Sequence, residues 1–143
     1  MPIGTTRARE LDDKQIFYLW MELKNFQKVG AYLFAHNKLA NQKTGHAYHT
    51  SSIRNAAWRY AMEHPEEARE ALINVGWDYV KDDTNWNDCI VQKAWTRWNT
   101  DPIRFVEWMD KNGYKLERYK YILKNYWDVV QEYKKAYDEK MGR

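Results

Sequence analysis

Residues 52–77, SIRNAAWRYAMEHPEEAREALINVGW, and residues 89–114, CIVQKAWTRWNTDPIRFVEWMDKNGY, decide the fold. Laid over one another at a shift of 37, they pair Ile53 with Ile90, Ala57 with Ala94, Trp58 with Trp95, Pro65 with Pro102, Glu70 with Glu107, Leu72 with Met109, Gly76 with Gly113 and Trp77 with Tyr114. A register of this kind predicts one supersecondary unit used twice. Each copy reads as an apolar run of helical spacing, a Pro, a second such run and a Gly. Pro is favoured at the first position of a helix and Gly just past its end, so the unit is helix, corner, helix, stop. The chain is therefore expected to be all-α, with duplicated helix-turn-helix-like units and a long C-terminal helix.

Asp101 before Pro102 is placed to accept from free first-turn amides, and Glu66 and Glu67 after Pro65 suit the positive end of a helix. Lys111-Asn112-Gly113 reads as a stop. Phe26–Gly30 echoes Leu72–Gly76 at a longer shift of 46, leaving about nine extra residues before the next helix. Helices are expected over 13–25, with Asp12 and Gln15 as a capping box, and over 26–36. Others are expected over 50–62 with Thr50 as cap, and over 65–80, 88–99 and 102–111. In the last, over 116–141, Tyr119, Leu123, Tyr126, Val130, Tyr133 and Tyr137 alternate spacings of four and three in heptad fashion. The expected division is 1–64, a basic helix-turn-helix-like unit; 65–115, a second, acidic repeat; and 116–143, a long last helix.

A chain of 143 residues fits one compact domain or two very small ones. Eight Trp and eleven Tyr supply enough large apolar area for a core, which argues against wholesale disorder. The single Cys89 allows no internal disulfide and no cysteine cluster for zinc, so stability must come from packing. No apolar run reaches membrane-spanning length and the start lacks a signal-peptide pattern, which predicts a cytoplasmic protein, in the host cytoplasm if viral.

The net charge of +3 names no partner, but its distribution is uneven. Residues 23–62 hold Lys24, Lys28, Lys38, Lys43, Arg54, Arg59, three histidines and no Asp or Glu. Residues 63–110 hold five basic and eleven acidic side chains, and residues 111–143 nine basic and five acidic. A basic block beside an acidic one predicts one region that faces a polyanion and one that avoids it.

On a helical wheel of 51–62, Ile53, Ala57, Tyr60 and Ala61 form an apolar arc, with Ser51, Ser52, Asn55 and Arg59 on the other side and Arg54 near the edge. Hydroxyls and amides at a helix start suit phosphate, while Asn and Arg suit adenine and guanine. The stretch from Phe26 to Arg59, with Val29, Gly30 and Leu33 followed by Thr50-Ser51-Ser52-Ile53-Arg54-Asn55, resembles helix-turn-helix DNA-binding proteins, loosely of the phage small terminase or phage regulator type. The turn departs from that family, running to a dozen or so residues where three or four are usual. The resemblance implies a second helix in the major groove, contacting DNA with its amino-terminal residues. The expected contact set is Ser51, Ser52, Arg54, Asn55 and Arg59, with Lys38, Lys43 and His49 adding charge. In the second copy the outward positions hold Asp88, Cys89, Gln92 and Thr96, and an aspartate there would repel phosphate. Only the first copy is expected to bind.

Other features read more plainly. Trp58 has its counterpart Trp95 in a copy without basic surface, which argues for packing rather than base stacking. His46 and His49 lack a second ligand pair, and Asp78, Asp82, Asp83 and Asp88 lack the glycine and terminal glutamate of a calcium loop. No Gly-rich phosphate loop or nucleophile triad can be picked out, so the protein is expected to be no enzyme and to need no cofactor. Its expected partner is duplex DNA, without a membrane, with docking or homo-oligomerisation through the last helix. The rival is a virus-encoded protein–protein interaction module, an inhibitor or assembly factor.

Overall fold

In the computed structural model, residues 12–36 and 49–143 are described. The loop carrying Lys38, Lys43 and His46 lies outside them. The described residues form helices joined by short turns, with no strand among them. The chain divides into two compact units, one ending at Lys81 and one beginning at Asp82.

The first unit begins with α1 (Asp13–Leu23), whose Asp12 cap accepts from the amides of Lys14 and Gln15 at 3.0 and 3.2 Å. Ile16, Phe17, Trp20 and Met21 share its buried face, as a helical period requires. The helix stops where Lys24 turns left-handed at φ +62°. Asn25 then caps α2 (Phe26–His36) by accepting from the Lys28 amide at 3.1 Å. Gly30 lies inside α2, which spans the residues expected.

The next helix, α3 (Thr50–Glu63), is preceded by His49 in extended conformation, without a side-chain cap. Thr50 is thus the first helical residue, not the cap. Ile53, Ala56, Ala57 and Ala61 are fully buried, and the alanines let α1 lie close across α3, with the Phe17 and Tyr60 rings 5.4 Å apart. Burying a side chain the size of Phe17 contributes about 1.5–3 kcal/mol.

Pro65 opens α4 (Pro65–Asn74), and Gly76, at φ +103°, ends it. The amides of Trp77 and Gly76 reach back to the carbonyls of Leu72 and Ile73, a Schellman closure. The helix expected to run to residue 80 is stopped there, and a 3₁₀ turn (Asp78–Lys81) follows. Arg69 donates to the carbonyls of Val80 and Lys81 at 2.8 Å each, which fastens that turn to α4.

In the second unit, Asp82 caps α5 (Asp83–Trp98) through the Asn85 amide, five residues before the expected start. Then comes α6 (Pro102–Lys111), as expected. Asp101 makes no side-chain cap; its carboxylate takes Arg104 at 3.4 Å instead. Gly113, at φ +76°, closes α6 with the same bonds as Gly76: Tyr114 to Met109 and Gly113 to Asp110. Ile53 and Ile90, Ala57 and Ala94, and Trp58 and Trp95 are all buried.

The long last helix is broken. A 3₁₀ turn (Leu116–Tyr119), α7 (Lys120–Leu123), a second 3₁₀ turn (Lys124–Tyr126) and α8 (Trp127–Lys140) replace it, with Lys124 at φ +49°. Tyr119, Leu123, Val130 and Tyr137 are buried, whereas Tyr126 and Tyr133 are exposed, so no continuous heptad seam exists. α8 packs on α6, within the second unit. No helix among the described residues is long and apolar enough to cross a membrane.

Candidate nucleic-acid interface

The residues proposed from the wheel fall into three groups. Ser51, Arg54 and Asn55 are exposed and, at spacings of three and four, share one side of α3. Ser52 is half-buried beside them, and His49 is exposed just ahead of the helix. The apolar arc of Ile53, Ala57, Tyr60 and Ala61 is buried on the opposite side. Amphipathicity thus orients the helix, turning its short polar and basic residues outward.

Arg59 is the exception. Its Nε and Nη2 donate to the two carboxylate oxygens of Asp13, at 3.0 and 2.9 Å, a bidentate pair between α3 and α1. Only 18% of the Arg59 side chain is exposed. Its charge is committed to Asp13, so the expectation that it faces outward with Asn55 is corrected. Lys38 and Lys43, the loop members of the predicted set, lie outside the described residues.

Arg54 stands differently. Its guanidinium carbon lies 5.7 Å from the centroid of Phe26, a cation–π distance. Phe26 itself stacks on Trp20 at 4.5 Å and 25°, and Trp20 is buried against Trp58 and Trp77. Exposed Lys24 and Lys28 flank Phe26 in sequence. Among the described residues none of Lys24, Lys28 and Arg54 sits in an ion pair.

No family model, no curated protein and no solved structure matches the chain. The two units differ in what their matching helices expose. On α5, the position matching Arg54 is Val91, fully buried, and that matching Ser51 is Asp88, whose carboxylate accepts from the Tyr121 hydroxyl. Burial pushes the Cys89 thiol up, away from a reactive thiolate. The Thr96 hydroxyl donates to the Gln92 carbonyl at 2.9 Å, and Arg97 lies over Trp98. No group of three or more His, Cys, Asp or Glu placed to hold a metal occurs among the described residues.

Two polar clusters escaped the sequence reading. Glu67, on α4, accepts from the hydroxyls of Tyr18 on α1 and Tyr60 on α3, tying three helices together. Those two phenol donors hold its carboxyl below the ordinary value of 4.5, and the bond to Glu67 pushes Tyr18 up to about 12. In the second unit Asp110 accepts from Arg143 at 2.7 and 3.0 Å and from the Tyr137 hydroxyl at 3.0 Å. Arg143, above all, holds the Asp110 carboxyl below its usual range. Residues 18 and 67, or 110 and 143, show no mutual periodicity, so only the packed structure brings them together.

Proposed function

We propose that the first unit is a helix-turn-helix-like module that binds duplex DNA through the amino-terminal half of α3, without catalytic turnover. The observation that carries this reading is the common exposure of Ser51, Arg54 and Asn55 on one side of α3, within a stretch, 23–62, that contains no acidic residue. Cations at Lys24, Lys28 and Arg54 attract phosphate, and the hydroxyl and amide groups offer the short-range contacts that fix a helix in a groove. Arg59 is assigned to holding α3 on α1 rather than to the DNA. A role in phage DNA packaging or regulation follows from the helix-turn-helix resemblance and belongs to the same proposal.

Titration of a random-sequence duplex with the full chain, followed by fluorescence anisotropy at low and moderate salt, tests it. A logarithm of affinity that falls linearly with the logarithm of salt concentration is the expected result. Absence of binding at low salt overturns it.

A second reading has its own observation. Tyr126, Val129 and Tyr133 are exposed at spacings of three and four, an apolar stripe on the last segment suited to another protein chain. If Val129→Lys abolishes a protein contact while the DNA titration is blank, the interaction-module reading takes its place.

A further inference from the structure

We infer that Arg54, backed by the ring of Phe26, is the residue with which this chain selects guanine in a bound duplex; the inference rests on the DNA-binding reading above. Two arginines lie five residues apart on α3 and have opposite circumstances. Arg59 has its fork filled by both oxygens of Asp13. Arg54 is exposed, has no carboxylate partner among the described residues, and rests over an aromatic ring.

A guanidinium presents a planar fork of donors that matches the paired N7 and O6 acceptors of guanine in the major groove, and it matches no other base edge as well. An exposed arginine ordinarily samples many rotamers and loses that freedom on contact. Phe26 counters this loss by holding the head group in place before contact. The ring is itself immobilised. It opens α2 behind the Asn25 cap and stacks on Trp20, which is only 6% exposed and is wedged against Trp58 and Trp77. The half-buried backing ring is thus anchored to the core through Trp20, and Phe26 acts as a positioning residue. At the matching place in the second unit stands the buried Val91, which has no donors at all.

The experiment is selection from a random duplex pool at moderate salt, using the full chain and the variants Arg54→Gln, Phe26→Leu and Phe26→Tyr, each checked for unchanged helicity. The unaltered chain is expected to enrich guanine at one defined position. Arg54→Gln should lose that preference while the other positions of the site persist. Phe26→Leu should lower the guanine-over-adenine ratio there about two- to five-fold, and Phe26→Tyr, which keeps the ring, should restore it. A guanine preference that survives Arg54→Gln, or that Phe26→Leu leaves unchanged, overturns the inference and leaves the DNA-binding reading standing. Salt-dependent binding without enrichment at any position does the same. Absence of all binding removes both.

Discussion

Arg59 and Asp13 allow a strict test of the division of labour on α3. Their two charge-assisted hydrogen bonds are 2.9 and 3.0 Å long, and the side chains are 18% and 24% exposed. Exposed ion pairs measure about 0.2–1 kcal/mol, whereas removing one partner of a fully buried pair costs about 3–5 kcal/mol. A mostly covered, bidentate pair falls between, and a coupling energy of about 1–2 kcal/mol is expected. Asp13 also sits in the first turn of α1, where a carboxylate gains from the helix dipole whatever Arg59 does. A double-mutant cycle of Asp13→Ala, Arg59→Ala and both removes that contribution. Urea titrations read by NMR intensities of α1 and α3 amides follow the first unit alone. In the same variants, DNA affinity should fall only as far as the unit unfolds. A coupling energy below about 0.5 kcal/mol, or a loss of DNA affinity by Arg59→Ala at unchanged stability, would refute the structural assignment of this arginine.

Arg54→Ala and Lys28→Ala should each lower the slope of log affinity against log salt by about one, whereas Lys93→Ala and Arg97→Ala leave it unchanged. The Glu67 carboxyl is lowered in the fold by its two phenol donors, so its contribution is present above the ordinary 4.5 and is lost as pH falls through the folded value. Tyr18 has the opposite sign: its contribution is full below 10 and is lost as pH rises towards about 12, and Glu67→Gln should bring its phenolate absorbance change back towards 10. Gly113→Ala should destabilise the second unit by about 1–2 kcal/mol through backbone strain alone, since φ is +76° and no atom lies within 4 Å of the added methyl; thermal melts check this.

Local punctuation was the legible part of this fold. Pro65 and Pro102 open helices because their missing amides are no loss at a first position, and Gly76 and Gly113 close them because a left-handed residue suits a side chain poorly. The 26–36 helix was likewise readable from its apolar spacing. Periodicity misleads where it continues past a stop. The pattern through residue 80 ignored Gly76, and the heptad through 116–141 ignored that a lysine, Lys124, can take a left-handed turn when neighbours bury Leu123 and Val130 on either side. Of the candidate site, the exposed side of α3 was legible from the wheel. The fate of Arg59 was not, because Asp13 lies 46 residues away and no local rule links them. The backing of Arg54 by Phe26 was hidden for the same reason.

The joint at 124–126 has a mechanical consequence. In an unbroken rod, inserting one residue would rotate everything downstream by roughly 100° and strip the packed side from its neighbour. Here the left-handed step at Lys124 uncouples the angular phase of α8 from that of α7. A one-residue insertion at this joint is therefore expected to cost less stability than one inside α8, whose inner side packs on α6 while Val129 and Tyr133 face outward.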